Sequence, residues 1–227
     1  MEFIKRVIEL FSSEKYMEMI FKGLETTLSI SIVAAILGMV LGVIVALVSI
    51  APKSTAMNIF KAICKVYVTI VRGTPMALQL FIMAYVVFAI RGFPKFLVAA
   101  IAFGVNSGAY VAEIMRGGIN AVDIGQTEAG RSLGLSSFTT MKSIVIPQAI
   151  KNVLPSIGNE FISLLKETSI IGFLGVIDLT KAAERVISRT MDPYFPYISI
   201  ALVYLAVVYG LSYLFKLLER RLAKSDR

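Results

Sequence analysis

The sequence of 227 residues contains no histidine and only one cysteine, Cys64. A single thiol excludes a disulfide within the chain. The lack of histidine excludes zinc sites of the Cys/His type and acid–base chemistry by imidazole. These absences remove the commonest metal and catalytic sites from consideration.

A second absence is a motif that could hold a nucleotide. No G-x-x-x-x-G-K-[ST] segment occurs, and the glycines do not open a phosphate-binding loop after a strand. The net charge of +8 is spread between apolar runs and forms no basic face interleaved with aromatic residues. A nucleic-acid partner is therefore not expected, and we expect the chain itself to bind no cofactor.

What the chain has in excess is apolar surface. Hydrophobic residues make up 57% of the sequence, whereas soluble domains have about 45–50% by a count that also includes glycine. The core of a soluble protein of this length cannot keep so many apolar side chains away from water, so the composition favours a bilayer. No signal peptide is predicted at Met1–Arg6, and the first span itself has to direct insertion.

The hydrophobic runs predict an all-α integral membrane protein. The uncharged run Leu28–Ala51 has 24 residues, which is long enough to cross ~30 Å of hydrocarbon. Gly38 and Gly42 give it a small-xxx-small step that would admit a close neighbouring helix. We predict five transmembrane helices, over residues 22–51, 73–90, 96–116, 148–167 and 194–216.

Residues 56–71 are too charged to cross the membrane comfortably, and we predict an amphipathic helix along its surface. The loop 51–74 holds four cations and no acid, namely Lys53, Lys61, Lys65 and Arg72. The positive-inside rule therefore places this loop and the 116–151 loop in the cytoplasm. An odd number of spans then predicts the N-terminus outside and the C-terminus in the cytoplasm.

The longest polar stretch predicts helix, glycine turn and helix. Glu128–Leu133 has good helix formers, Gly134 can end that helix in a left-handed conformation, and Ser136 or Ser137 can cap the next one. Pro147 then begins a membrane helix. This stretch is either a lever contacted by a partner or simply a solvated helical hairpin.

Polar residues inside the spans are the candidates for a transport pathway, because each is costly in hydrocarbon. The candidates are Asn106, Tyr110, Asn159, Glu160, Ser163 and Thr168. Glu113 is predicted to pair with Arg116, three residues later. Glu160 either forms an ion pair, within the chain with Lys166 or with another subunit, or attracts the cationic group of a basic amino acid.

The polar stretch resembles the EAA loop of ABC importer permeases, E-A-A-x3-G-x9-I-x-L-P. Here it is Glu128-Ala129-Gly130, then Gly134, then Ile144-Val145-Ile146-Pro147, so Gly130 replaces alanine and Ile146 replaces leucine. Segments 72–75, 79–81, 109–119 and 159–169 are similar, in order, to those of the polar amino acid permease subfamily. The resemblance covers about residues 20–216.

This resemblance implies one transmembrane permease domain over residues 1–227, of the type I ABC importer kind, with a coupling loop at about 120–147. The residues that it assigns to ATPase coupling are Gly125, Glu128, Ala129, Gly130, Arg131 and Gly134. It also implies a bacterial cytoplasmic membrane, a second permease subunit, two ABC ATPase subunits that carry the ATP and magnesium, and an extracytoplasmic substrate-binding protein. The segment Asp178–Asp192 resembles the rim where that protein docks, or is a solvated helix.

The expected function is ATP-driven uptake of a polar amino acid, with ATP hydrolysis on a separate subunit. Glu160 favours a basic substrate such as arginine, lysine or histidine, and glutamine or glutamate is the alternative. Two other classes remain as competitors. A passive channel would leave the EAA-like loop without a purpose, and a membrane-embedded enzyme would need a catalytic cluster that the sequence does not contain.

Overall fold

The computed structural model describes residues 5, 7, 8, 11–52 and 54–223, and the ordered elements over these residues are helices. We label them α1 Glu14–Ile50, α2 Thr55–Arg72, α3 Met76–Ile82, α4 Lys95–Asn120, α5 Ile124–Ser132, α6 Ser137–Thr140, α7 Ile146–Glu167, α8 Leu179–Thr190 and α9 Tyr194–Ala223. Two π-helical turns, Met83–Val87 and Met141–Val145, follow α3 and α6, and a 3-10 segment, Thr168–Leu174, follows α7.

The centre of the fold is the pair of helices α1 and α4. A Cβ on Gly38 would lie 2.8 Å from the Cβ of Ser107, and one on Gly42 would lie 2.5 Å from Val111. The missing side chains thus let the two backbones approach, which confirms the packing expected of the small-xxx-small step. Because Gly38 meets Ser107 and Gly42 meets Val111, the two helices run in the same direction and end at the same end of the bundle.

The connection from α2 to α3 is a sharp corner. The two helices meet at an angle of 110°. The predicted separation of the helix over residues 56–71 from the next span is confirmed, with Pro75 at the start of α3. The helical path ends at Val87, before the predicted boundary at residue 90, because the chain leaves the π turn at Phe88. That α2 lies along the membrane surface stays a prediction.

A turn separates the predicted spans 73–90 and 96–116, and Gly92 within it adopts a left-handed φ of +84°. The predicted end of the fourth span at residue 167 is also confirmed, since α7 gives way to the 3-10 segment at Thr168. The first span is longer than predicted, because α1 begins at Glu14 and not near residue 22.

Within the described residues, three helices are long and apolar enough to cross a membrane, or four if the bent α2–α3 pair counts as one span. The three are α1, α4 and α9. The 22 residues of α7 would reach across the hydrocarbon, but the helix carries Lys151, Glu160, Lys166 and Glu167. The predicted count of five therefore stays a prediction, while the all-helical fold is confirmed.

The helix α8 closes one end of the bundle. Asp178 caps it by accepting from the backbone N–H groups of Thr180 (3.1 Å) and Lys181 (2.9 Å). Burial raises the pKa of this carboxyl, and the two hydrogen bonds act in the opposite direction. Leu179 and Val186 pack on Ile20 of α1 and so fix α8 against the start of α1.

Candidate transport pathway and coupling loop

Two side-chain hydrogen bonds join three helices at a polar junction in the middle of the bundle. Asn106 Nδ2 on α4 donates to Gln79 Oε1 on α3 at 2.9 Å. The next residue, Ser107, donates from Oγ to Glu160 Oε1 on α7 at 2.8 Å. Asn106 and Ser107 are buried, so α4 presents two polar groups to two different helices at one level.

Gln79 connects this junction to the corner between α2 and α3. Its Nε2 donates to the carbonyl oxygen of Val71 (2.7 Å) and to Thr74 Oγ1 (2.8 Å). The amide nitrogen is thus occupied by the corner, and the amide oxygen accepts from Asn106. A change in the corner would therefore reach α4 through one side chain.

Glu160 has no ion-pair partner among the residues that the structure describes. Its hydrogen-bond partner is Ser107, and the expected alternative of a pair with Lys166 is not formed. Asn159 is exposed and Ser163 is half-buried on the same helix. A carboxylate held by a hydroxyl alone can still accept from a cationic group.

Thr168 does not join the junction. Its side chain is fully buried, and its hydroxyl donates to the carbonyl oxygen of Leu165 at 2.7 Å. This is a local bond at the end of α7, and it gives Thr168 a packing position in this structure.

Tyr110 and Glu113 continue the polar face of α4 toward the end that bears the 121–145 loop. Arg116 pairs with Glu113 through Nε (3.0 Å) and Nη2 (2.8 Å), which confirms the predicted pair. Arg72 adds a second ion pair at 3.2 Å, and its guanidinium lies 5.3 Å from the centre of the Tyr110 ring. Tyr110 therefore contacts a cation from α2, which the sequence pattern did not predict.

The coupling loop has the predicted helix–turn–helix form. The first helix, α5, is capped by Asp123, whose Oδ1 accepts from Gly125 N at 2.7 Å. Gly134 adopts φ +82°, as its predicted role in ending the helix requires. Ser136 Oγ accepts from Thr139 N at 3.1 Å and caps α6. Pro147 lies in the first turn of α7, but it does not begin a new helix as predicted, because α6, the π turn and α7 follow one another without a break.

Gly130 forms the inner face of this loop. It is buried, and a Cβ there would lie 2.8 Å from Thr140 Cγ2 and 3.0 Å from Ile144 Cδ1. The glycine that replaces alanine in the EAA pattern is thus matched by a β-branched residue opposite. Thr140 Oγ1 is buried without a hydrogen-bond partner in the described part of the chain.

The outer face of the loop combines charge with exposed apolar side chains. Glu128, Ala129 and Arg131 are exposed there. Ile124, Leu133 and Phe138 are 74%, 82% and 75% exposed. Three large apolar side chains on one polar loop are costly in water, and this pattern is typical of a protein-contact surface.

Comparison with known proteins assigns the chain to a family. The family described as binding-protein-dependent transport system inner membrane component matches residues 38–224. The chain belongs to this family. The predicted resemblance to amino acid ABC importer permeases is confirmed, and the chain is a multi-pass inner-membrane permease of this class.

Three similar proteins cover nearly the whole chain. A putative glutamine transport system permease protein of Rickettsia bellii (strain RML369-C) is 42% identical over 208 residues, 91% of this chain and 94% of that one. The arginine transport system permease protein of Bacillus subtilis (strain 168) is 38% identical over 209 residues, with the same two shares. The crystal structure of an amino acid ABC transporter with histidines matches with a TM-score of 0.86 and 39% identity over 93% of this chain and 98% of that one.

Sequence reasoning named Asn106 and Glu160 but missed Gln79 and Ser107 as parts of one junction. These partners are 27 and 53 residues apart in the chain. Ser107 could have been found because it is next to Asn106 in the sequence. Gln79 could have been found because it is an uncharged polar residue in a predicted span.

Proposed function

We propose that this permease forms the membrane path of an ATP-driven importer for amino acids that carry a cationic side chain. The observation that supports this substrate class is Glu160. Its carboxylate lies at a junction of three helices, is held by Ser107, and has no cation beside it among the described residues. An ammonium or guanidinium group is the natural partner of such a carboxylate.

The proposed path runs along the polar face of α4. A substrate with an ammonium or guanidinium group would meet Glu160 and the amides of Gln79 and Asn106. Below them, Tyr110 would line the route toward the end of α4. The contact that links Gln79 to the α2–α3 corner would let movement of that corner open or close the route.

The energy for transport would come from separate subunits. We propose two ABC ATPase subunits that bind ATP and magnesium and press on Glu128, Ala129, Arg131 and the exposed apolar residues of the loop. A second permease subunit would complete the path, and an extracytoplasmic binding protein would deliver the substrate. The chain itself would bind no cofactor and hydrolyse no ATP.

The common direction of α1 and α4 supports the proposed orientation. The end of α1 at Ile50 and the 121–145 loop lie at the same end of the bundle, as the distribution of cations requires for the cytoplasmic side. The start of α9 lies beside α8 and the beginning of α1, where Phe195 packs near Ile20. Further along α9, Phe215 contacts Gly158 and Phe161 of α7. The end of α9 would then be cytoplasmic and the start of α1 outside.

A substrate with an amide side chain is the second candidate. The neutral pair of Gln79 and Asn106 suits an amide, and one similar permease bears the name of a putative glutamine system. Both candidates make use of the same junction, and they differ in whether Glu160 is needed.

The decisive experiment is uptake into proteoliposomes that contain the permease, its ATPase subunits and the binding protein. Labelled arginine, lysine, histidine, glutamine and glutamate are compared with and without ATP. We expect ATP-dependent uptake in which arginine or another cationic amino acid exceeds glutamine. Flux without ATP would support a channel, and faster uptake of glutamine would support the second candidate.

A further inference from the structure

A cavity of about 400 Å³ lies between the last turns of α1, one face of α2 and the last turns of α4. Four cationic side chains line it, together with one carboxylate. The cations are Lys61, Lys65, Arg72 and Arg116, and the carboxylate is Glu113. The lining also includes apolar residues such as Val45, Val68 and Ala112.

The orientation of α2 explains why the cations converge. Five of its large apolar side chains are more than half exposed, and they are Ile59, Phe60, Ile63, Val66 and Ile70. On a helix of 3.6 residues per turn, Lys61, Lys65 and Arg72 lie on the opposite side. The helix therefore turns its charges toward α1 and α4 and its apolar face outward, as suits contact with lipid chains.

The charges in the cavity are only partly compensated. Arg72 and Arg116 share the carboxylate of Glu113, and Lys61 Nζ donates to the carbonyl oxygen of Ala51 at 2.6 Å. Lys65 makes no hydrogen bond or ion pair within the part of the chain that the structure describes. An anion in the cavity would accept charge-assisted hydrogen bonds from these groups.

We propose that this cavity binds the phosphate of an anionic phospholipid, at the end of the bundle that bears the 121–145 loop. Its depth fits a headgroup, because Ser49 lies one residue before the end of α1 and Arg116 lies four residues before the end of α4. The apolar face of α2 beside the cavity would lie against the acyl chains. Basic groups at this depth attract anionic headgroups.

The test measures lipid retention by the full-length chain in detergent with native mass spectrometry. Phosphatidylglycerol is titrated against phosphatidylcholine, and inorganic phosphate forms a third arm. We expect one phosphatidylglycerol to be retained selectively. Lys65→Gln should weaken its retention about fivefold, since one cation is lost. The matched control Lys216→Gln removes an exposed cation near the end of α9, outside the cavity, and should change retention less than twofold.

Cys64, the single cysteine, provides a second readout because it lines the cavity. Its alkylation by N-ethylmaleimide should slow when phosphatidylglycerol is present, and Lys65→Arg should preserve this protection. Equal retention of both lipids, or equal effects of Lys65→Gln and Lys216→Gln, would overturn the proposal. If inorganic phosphate but not phosphatidylglycerol protected Cys64, the cavity would bind free phosphate, and the proposal of a lipid would be overturned. Neither lipid retention nor Cys64 alkylation depends on transport, so the proposed lipid site can fail independently of the proposed function.

Discussion

The polar junction and the coupling loop are built in opposite ways. At the junction, two buried polar groups of α4 bind half-buried polar groups of α3 and α7 that are distant in the chain, as Ser107 binds Glu160. In the loop, neighbours within four residues set the shape, and the outer side chains are exposed. A buried junction of this kind suits selection of a small polar substrate, whereas an exposed loop suits contact with another protein.

A change on the outer face of the loop should abolish coupling to the ATPase subunit and leave the polar junction intact. Phe138→Asp puts a charge on the exposed apolar surface, where a partner subunit would have to desolvate it. We expect loss of co-purification with the ATPase subunit and at least a roughly tenfold loss of ATP-dependent uptake. Co-purification and uptake are measured on the same preparations.

Ser137→Asp is the matched control, since it adds the same charge one residue away at the start of α6, where a helix favours an anion. It should retain most of the coupling. Equal loss in both variants would mean that added charge, and not the apolar contact, is responsible.

The stability of the chain is expected to depend more on the inner face of the loop than on its exposed face. Gly130→Ala should lower the free energy of unfolding by about 2 kcal/mol, because its Cβ would overlap with Thr140. Adding Thr140→Ala should recover much of this loss, since it removes the opposing methyl group and a hydroxyl that has no partner in the described structure. Thermal unfolding in detergent measures both, and a Gly130→Ala variant as stable as the parent would refute the close packing.

At the junction, Ser107→Ala removes the hydrogen bond that orients Glu160. We expect the apparent affinity for a cationic amino acid to fall by about 1.5 kcal/mol, which is roughly tenfold. ATPase co-purification should not change, because Ser107 lies far from the loop in the chain and on the interior of the bundle. If uptake kept its concentration dependence, the orienting role of Ser107 would be refuted.

The smallest expected effect concerns the turn itself. Gly134→Ala places a side chain at φ +82° and should cost about 1 kcal/mol of stability. Gly117→Ala is the matched control, because Gly117 is helical and a Cβ there would meet no atom within 4 Å. Gly117→Ala should be neutral or slightly stabilising, and an equal loss in both variants would contradict the assignment of the turn.

These two regions also differ in how far the sequence predicts them. The turn at Gly134 and the cap at Ser136 follow from local rules, and the structure confirms them. The helix start predicted at Pro147 is wrong, because the helical path that begins at Ser137 continues through the π turn into α7. The contacts of Gln79 and Ser107 could not be predicted, since they depend on how three helices pack. For the same reason the second cation on Glu113, Arg72, was not foreseen.

The number of transmembrane spans is also not predicted by the sequence pattern alone. Hydropathy identifies helices that are apolar on all sides, such as α1 and α9, but α7 carries four charged residues and α3 is short. Such segments are stable in a membrane only when their polar groups face protein or water. Their role depends on the assembly, which a local pattern does not describe.

The proposed choice of a cationic substrate depends most directly on Glu160, and the ratio of arginine to glutamine uptake tests it. Proteoliposomes with the parent chain, Glu160→Gln and the control Glu18→Gln are compared; Glu18 is an exposed carboxylate paired with Lys22. We predict that Glu160→Gln lowers arginine uptake about tenfold or more, with glutamine uptake changed less than twofold and Glu18→Gln like the parent. An unchanged arginine-to-glutamine ratio in Glu160→Gln would contradict the proposal that this carboxylate selects a cationic substrate.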